Sequence, residues 1–132
     1  MGFWPEGYRC CVNISFDYDS NSALMRRAPL DIVAQSRGRF APNVAIPRIL
    51  DMLEKHGIKA TFFTPGWTVD VFIDSVEEIV SSGHELAAHG YLHERLAEIS
   101  KEAEEQAFMK GLAAFEKAVS YTHLTLPTIL LV

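Results

Sequence analysis

Three short β-prone runs alternate with helical stretches along this chain, and that alternation restricts the fold more than any other feature. Residues 9–16 are β-rich and partly alternating, and they stop at the carboxylate pair Asp17-Tyr18-Asp19. Residues 59–64 form a second run that ends at Pro65-Gly66. Residues 85–89 form a third, weaker one, because its alanines are poor β-formers. Between the first two runs, Ile46, Ile49, Leu50 and Leu53 fall on one helical stripe, with Pro47 in the first turn and Gly57 just past the end. Val71, Phe72, Ser75, Val76, Ile79 and Val80 mark a second stripe, stopped by Gly83. Ser100 then reads as an N-cap with Glu102, Glu104 and Glu105 in the first turns, followed by the stripe Phe108, Leu112, Phe115 and Val119. The order β, long connection, α, β, α, β, α predicts an α/β fold with parallel strands joined by right-handed crossovers. The connection over residues 20–42 shows no periodicity, and an unstructured segment of that length is usually functional.

Composition agrees with a packed domain. Hydrophobic residues make up 48% of the 132 residues and charged ones 22%, far from the signature of disorder. A closed (β/α)8 barrel needs about 250 residues, so a barrel-like chain of this length reads as part of one. The 12 basic and 17 acidic residues give a net charge of −5, and no basic run exceeds Arg26-Arg27, so nothing calls for a nucleic-acid partner. No apolar run approaches the roughly 18 residues of a membrane span, and the first residues lack a signal-peptide pattern. The expectation is a cytoplasmic chain without a membrane partner. Cys10 and Cys11 are neighbours, a poor geometry for a disulfide, and are expected as reduced cysteines in the core.

In α/β folds the reactive groups gather beyond the C-terminal ends of the strands. Asp17 and Asp19 follow the first predicted strand, and His89 and His93 sit at and just after the third. Mixed imidazole and carboxylate donors suit a divalent transition metal, and a catalytic site needs three such ligands with one position left open. Asp19, His89 and His93 would supply that set. The i, i+4 spacing of the histidines puts both on one side of a helical turn. The Glu that follows the first His in the metalloprotease H-E-x-x-H motif is replaced here by Gly90, so the base must come from elsewhere, and Asp17 is the candidate. His84 reads as a loop residue at the start of a strand, and His56 as a residue at a helix C-terminus. Trp67 and Tyr91 follow strand ends and are candidates for a substrate pocket, with rim packing as the plainer alternative. Arg26, Arg27, Arg37 and Arg39 read as solvated loop surface.

Phe16-Asp17-Tyr18-Asp19, then Ala60-Thr61-Phe62-Phe63-Thr64-Pro65-Gly66-Trp67, then Gly83-His84-Glu85-Leu86-Ala87-Ala88-His89-Gly90-Tyr91-Leu92-His93-Glu94 resemble, in order, the motifs of the polysaccharide deacetylase family, the NodB-homology or carbohydrate esterase family 4 domain. The resemblance spans about residues 4–119. The Pro-Gly-Trp and His-Gly-Tyr-Leu-His-Glu forms look most like its intracellular branch, which includes peptidoglycan deacetylase-like proteins and relatives that act on cyclic amides. It implies the N-terminal part of a distorted (β/α) barrel and metal-dependent hydrolysis of carbon–nitrogen amide bonds, N-acetylated sugars being the first substrate class. Zinc is the first choice of divalent metal. By position, Asp17 matches the catalytic base and Asp19, His89 and His93 the metal ligands. In the commonest family form the two aspartates are adjacent and followed by Gly; here Tyr18 separates them.

Residues 120–132 contain no Asp, Glu, Lys or Arg. They look like a non-native tail, which leaves residues 1–119 as the family segment. The pocket motifs and the acid that would protonate the leaving amine would then lie beyond this chain, and little turnover is expected from it alone. The expected partner is a carbohydrate or small amide substrate, with room for homo-oligomerisation of a full-length parent. Hydrolysis of a cyclic imide or ureide is the alternative chemistry, and a non-catalytic binding or assembly domain the alternative class.

Overall fold

A computed structural model describes residues 5–26 and 32–118. Its centre is a parallel three-stranded sheet, β1 (Ser15–Asp17), β2 (Thr61–Thr64) and β3 (Glu85–Ala88), in the order β1-β2-β3. Ser15 aligns with Thr61 and Asp17 with Phe63; Thr61 aligns with Glu85 and Thr64 with Ala88. The α/β arrangement with parallel neighbours is therefore as the alternation requires.

The helices differ from the expected ones in informative places. The long first connection contains two short helices, α1 (Ser22–Met25) and α2 (Ile32–Gly38), and a π-helical turn (Ala41–Ala45) that runs into α3 (Ile46–Lys55). Helices of four and seven residues are too short to show a period, which is why this segment reads as loop. After α3, Gly57 takes the left-handed φ of +62° that suits a helix C′ position. The stripe expected over residues 71–80 is two helices, α4 (Gly66–Val71) and α5 (Ile73–Ser81), parted where Phe72 leaves helical geometry at φ −123° and ψ 46°. Ser100 does cap α6 (Lys101–Ala118), its Oγ accepting the N–H of Ala103 at 3.3 Å.

The buried face of α6 is turned relative to the expected stripe: Gly111, Ala114 and Phe115 are buried, while Phe108 is 49% exposed. Small residues are what this face needs, because α6 crosses α4 very closely. A Cβ on Gly66 would lie 2.8 Å from the Gly111 Cα and 2.8 Å from Tyr91 Cδ2. Two glycines thus set the helix separation.

The core is built on Phe62, fully buried in the central strand, with Val76 and Ile79 of α5, Ile46, Leu50 and Leu53 of α3, Val69 of α4 and Phe115 of α6. Burial of each such side chain contributes about 1.5–3 kcal/mol. Phe16 stacks on Phe62 with ring centroids 5.2 Å apart. Cys10 and Cys11 are free, as expected, but correct the expectation that they lie in the core: both are exposed. Pairing with β2 begins at Thr61, whose N–H reaches Ile14 O, so among the described residues those before Ile14 have no strand to pair with despite their β propensity. Among the described residues no helix is long and apolar enough to cross a membrane. Residues 120–132, with His123 among them, lie outside the described residues.

Candidate metal centre

Strand alternation explains the Asp-Tyr-Asp spacing. Phe16 and Tyr18 face the core, and Asp17 therefore emerges on the opposite side, exposed at the C-terminal end of β1. Tyr18 is the anchor. Its N–H extends the ladder to Phe63 O at 2.8 Å, and its hydroxyl lies 2.6 Å from Ser75 Oγ at the start of α5. Ser75 Oγ already donates to Phe72 O, so the phenol is the donor of this pair. Burial pushes the Tyr18 hydroxyl up to about 12.

The anchor delivers Asp19 just beyond the strand. Its carbonyl accepts from Thr68 Oγ1 at 2.9 Å and from the Ser22 N–H at 3.1 Å, while Ser20 turns the chain with a left-handed φ of +51°. Across the sheet, the His89 N–H donates to Thr64 O, which seats His89 one residue past β3. The chain then doubles back through Gly90 (φ +71°) to His93.

These turns bring Asp19, His89 and His93 together. His89 Nε2 lies 3.8 Å from Asp19 Oδ1, and His93 Nε2 lies 3.7 Å from Asp19 Oδ2. The imidazoles stand nearly perpendicular, at 87°, with centroids 4.6 Å apart. Donor atoms of the three residues all fall within 4.8 Å of one another, and each residue is half-buried. The separations are too long for hydrogen bonds. They approach the roughly 3.4 Å between two ligands that each lie about 2.1 Å from one tetrahedral ion. Asp19 Oδ1 is itself buried and has no hydrogen-bond partner. A buried carboxylate oxygen left unpaired is costly, and a cation between it and the imidazoles would satisfy it. The donor set fits zinc or a similar divalent ion.

The loop that carries the histidines is fastened from several sides. Gly66 and Trp67, at the start of α4, donate their N–H groups to Gly90 O and Tyr91 O, each at 2.9 Å. Tyr91 is buried, its hydroxyl donating to Asp70 at 3.1 Å and its ring lying under Lys110 Nζ at 3.9 Å. Burial, with Asp70 and then Glu94 nearby, raises the Tyr91 hydroxyl above its usual value. Trp67 is half-buried and meets Phe72 edge-on at 6.0 Å. Of the loop arginines, Arg37 and Arg39 are exposed as expected and Arg27 lies outside the described residues. Arg26 is half-buried and donates to His93 O, which corrects its reading as solvated surface. A contact across 67 residues leaves no trace in sequence spacing.

His84 is a different kind of histidine. It lies before β3, at the other end of the strand, buried and accepting the Ala60 N–H through Nδ1 at 3.3 Å. Burial, and then the Lys59 charge, lowers its pKa.

The family model for polysaccharide deacetylases matches residues 31–128. The chain belongs to the polysaccharide deacetylase family. The matched stretch includes His89 and His93, and the two aspartates precede it. The chain is 40% identical over 77 residues to the peptidoglycan deacetylase of Helicobacter pylori, covering 58% of this chain and 26% of that protein. It is 31% identical over 121 residues to a peptidoglycan deacetylase-like protein of Gibberella zeae, covering 88% of this chain and 36% of the relative. A crystal structure from Mycobacterium smegmatis assigned to the polysaccharide deacetylases superposes with a TM-score of 0.83 at 33% identity, covering 89% of this chain and 42% of that one. That likeness gives the sheet its wider setting, the distorted barrel of this deacetylase fold. The chain thus spans between about a quarter and two fifths of the length of these relatives.

Proposed function

We propose that this chain supplies the metal-binding part of a hydrolase that removes acetyl groups from N-acetylated sugars. The observation that carries the reading is the Asp19-His89-His93 cluster with its orphaned carboxylate oxygen, at the C-terminal ends of β1 and β3 in a deacetylase-family fold. The peptidoglycan deacetylase of Helicobacter pylori directs the choice of substrate class.

In this reading Asp19 Oδ1, His89 Nε2 and His93 Nε2 hold a divalent ion, zinc first. That ion, when bound, acidifies a water and polarises the amide carbonyl. Asp17, exposed at the end of β1, accepts the proton of the attacking water. Tyr18, buried and tied to Ser75, fixes the register that leaves Asp17 exposed at the strand end and Asp19 beside the histidines. Trp67, half-buried at the start of α4, and the buried Tyr91 are the candidates to meet substrate beside the histidine loop, where the Trp67 N–H donates to Tyr91 O. No residue of this chain is assigned to protonate the leaving amine, so the reading expects the chain alone to bind metal and turn over little. Nothing in the site favours a cyclic imide substrate or a non-catalytic role.

Two measurements test the reading. Zinc titration of the chain should show one site per chain. A longer protein that carries this segment with the family's remaining strands should release acetate from N-acetylated chitooligosaccharides, leave a cyclic imide untouched, and lose turnover with Asp17→Asn while keeping its metal. Turnover that survives Asp17→Asn, or preference for the imide, would contradict it.

A further inference from the structure

Two charged side chains outside the ligand set are both committed to one stretch of backbone. Glu94 folds back over the histidine loop, so that Oε2 accepts the Tyr91 N–H at 2.9 Å and Oε1 accepts the Leu92 N–H at 2.7 Å. Arg26, at the end of α1, donates from Nη1 to His93 O. His93 itself lies between them in a left-handed backbone conformation, φ +56°, that side-chain-bearing residues seldom adopt. Gly90 makes the fold-back feasible: a Cβ there would lie 2.7 Å from Glu94 Oε2.

The imidazoles have little else to orient them. Metal-binding histidines are usually aimed by a hydrogen bond from the second ring nitrogen. Among the described residues neither His89 nor His93 has such a bond: beside Asp19 the two imidazoles meet only each other, at 4.6 Å, and His89 meets the Phe63 ring edge-on at 6.4 Å. With no hydrogen bond on its ring, His93 takes its direction from its backbone and from the His89 ring beside it, and that backbone is held by Glu94 on one side and Arg26 on the other.

We propose that Glu94 and Arg26 are positioning residues for the metal centre. Together they impose the His93 backbone conformation that brings Nε2 to 3.7 Å from Asp19 Oδ2. They act through backbone and are not themselves ligands. Arg26 also ties the end of α1 to the histidine loop. The proposal rests on the metal reading above.

The test is a zinc titration of the full chain in competition with a chelator, beside the visible spectrum of the cobalt-loaded form and thermal unfolding without metal. Glu94→Ala and Arg26→Met should each weaken zinc by about 10–100-fold, the usual loss for a partner of a ligand, and alter the cobalt spectrum, with the metal-free melting temperature nearly unchanged. Glu94→Gln keeps one acceptor oxygen and Arg26→Lys one donor, so both should recover part of the affinity. The double variant should lose less than the two single losses combined, because both residues act on one peptide segment. Variants that bind zinc as tightly as the unsubstituted chain overturn the proposal. So does a loss of affinity that merely follows a collapse of metal-free stability in Glu94→Gln and Arg26→Lys as well. If the unsubstituted chain binds neither zinc nor cobalt, the metal reading fails first and takes this proposal with it.

Discussion

The two ends of the small sheet hold histidines in opposite circumstances. At the N-terminal end, His84 is buried and its Nδ1 has a backbone donor, while Lys59 is occupied with Ser82 O at 2.6 Å. At the C-terminal end, His89 and His93 are half-exposed and face a carboxylate they do not hydrogen-bond, one of whose oxygens is buried and unpaired. The described residues other than glycine with positive φ, Ser20 and His93, both lie at this second end. The first end is finished without a ligand; the second is not. A satisfied histidine under a hydrophobic ring is a piece of core, and a group of donors that leave one another unsatisfied is a place for something else.

The sharpest way to break this contrast is to remove ligands from the unfinished end. His89→Ala combined with His93→Ala should abolish zinc binding, on the order of 1,000-fold or more in affinity by calorimetry. Metal-free stability should stay within about 0.5 kcal/mol, because half-exposed side chains without hydrogen bonds contribute little. Gly66→Ala comes next. It forces α4 away from Gly111 and Tyr91 and should cost about 3 kcal/mol in denaturant unfolding, the upper part of the range for overpacking, and it should disturb the histidine loop through the Gly90 and Tyr91 carbonyls.

At the finished end the effects reverse. His84→Leu should cost about 2 kcal/mol, since it orphans the buried Ala60 N–H, and should leave zinc affinity as it was. The pKa of His84 lies below the ordinary 6.5, so its neutral form is the one that folding favours. Its contribution is complete above the unfolded value near 6.5 and is lost as pH falls through the lower folded value. Asp51, Glu54 and Glu78 line the same cleft as His84 and Lys59 and would temper the loss. An acid limb of the stability curve that disappears in His84→Leu would sharpen the contrast.

The smallest effect belongs to the Tyr18 anchor beside Asp19. Tyr18→Phe should cost about 1 kcal/mol, one buried hydrogen bond. Because the Tyr18 hydroxyl is raised from 10 to about 12, its contribution is full below pH 10 and is lost between there and about 12. The variant should lack that part of the alkaline decline.

The parallel α/β order was legible because three short β runs and their intervening stripes have distinct periods, and the strand-end positions of Asp17, Asp19, His89 and His93 followed from it. What escaped is what has no period or no local partner. Residues 9–13 have the propensity of a strand but pair with no strand among the described residues, so β1 begins only at Ser15. The helices α1 and α2 are too short to declare themselves. The buried face of α6 is decided by how closely Gly111 lets it approach α4, so Phe108 of the expected stripe is left outside. In the site, the residue types and their strand-end positions were readable, but the contacts that shape the loop were not. Glu94 works through backbone N–H groups, and Arg26 reaches the His93 carbonyl from a distant part of the chain.

The central claim is that the orphaned Asp19 oxygen and the two imidazoles form one metal site. A calorimetric titration of the chain with zinc tests it most directly. The account predicts one ion per chain, lost together when Asp19→Ala, His89→Ala or His93→Ala is introduced. No binding, or binding indifferent to all three substitutions, would contradict it.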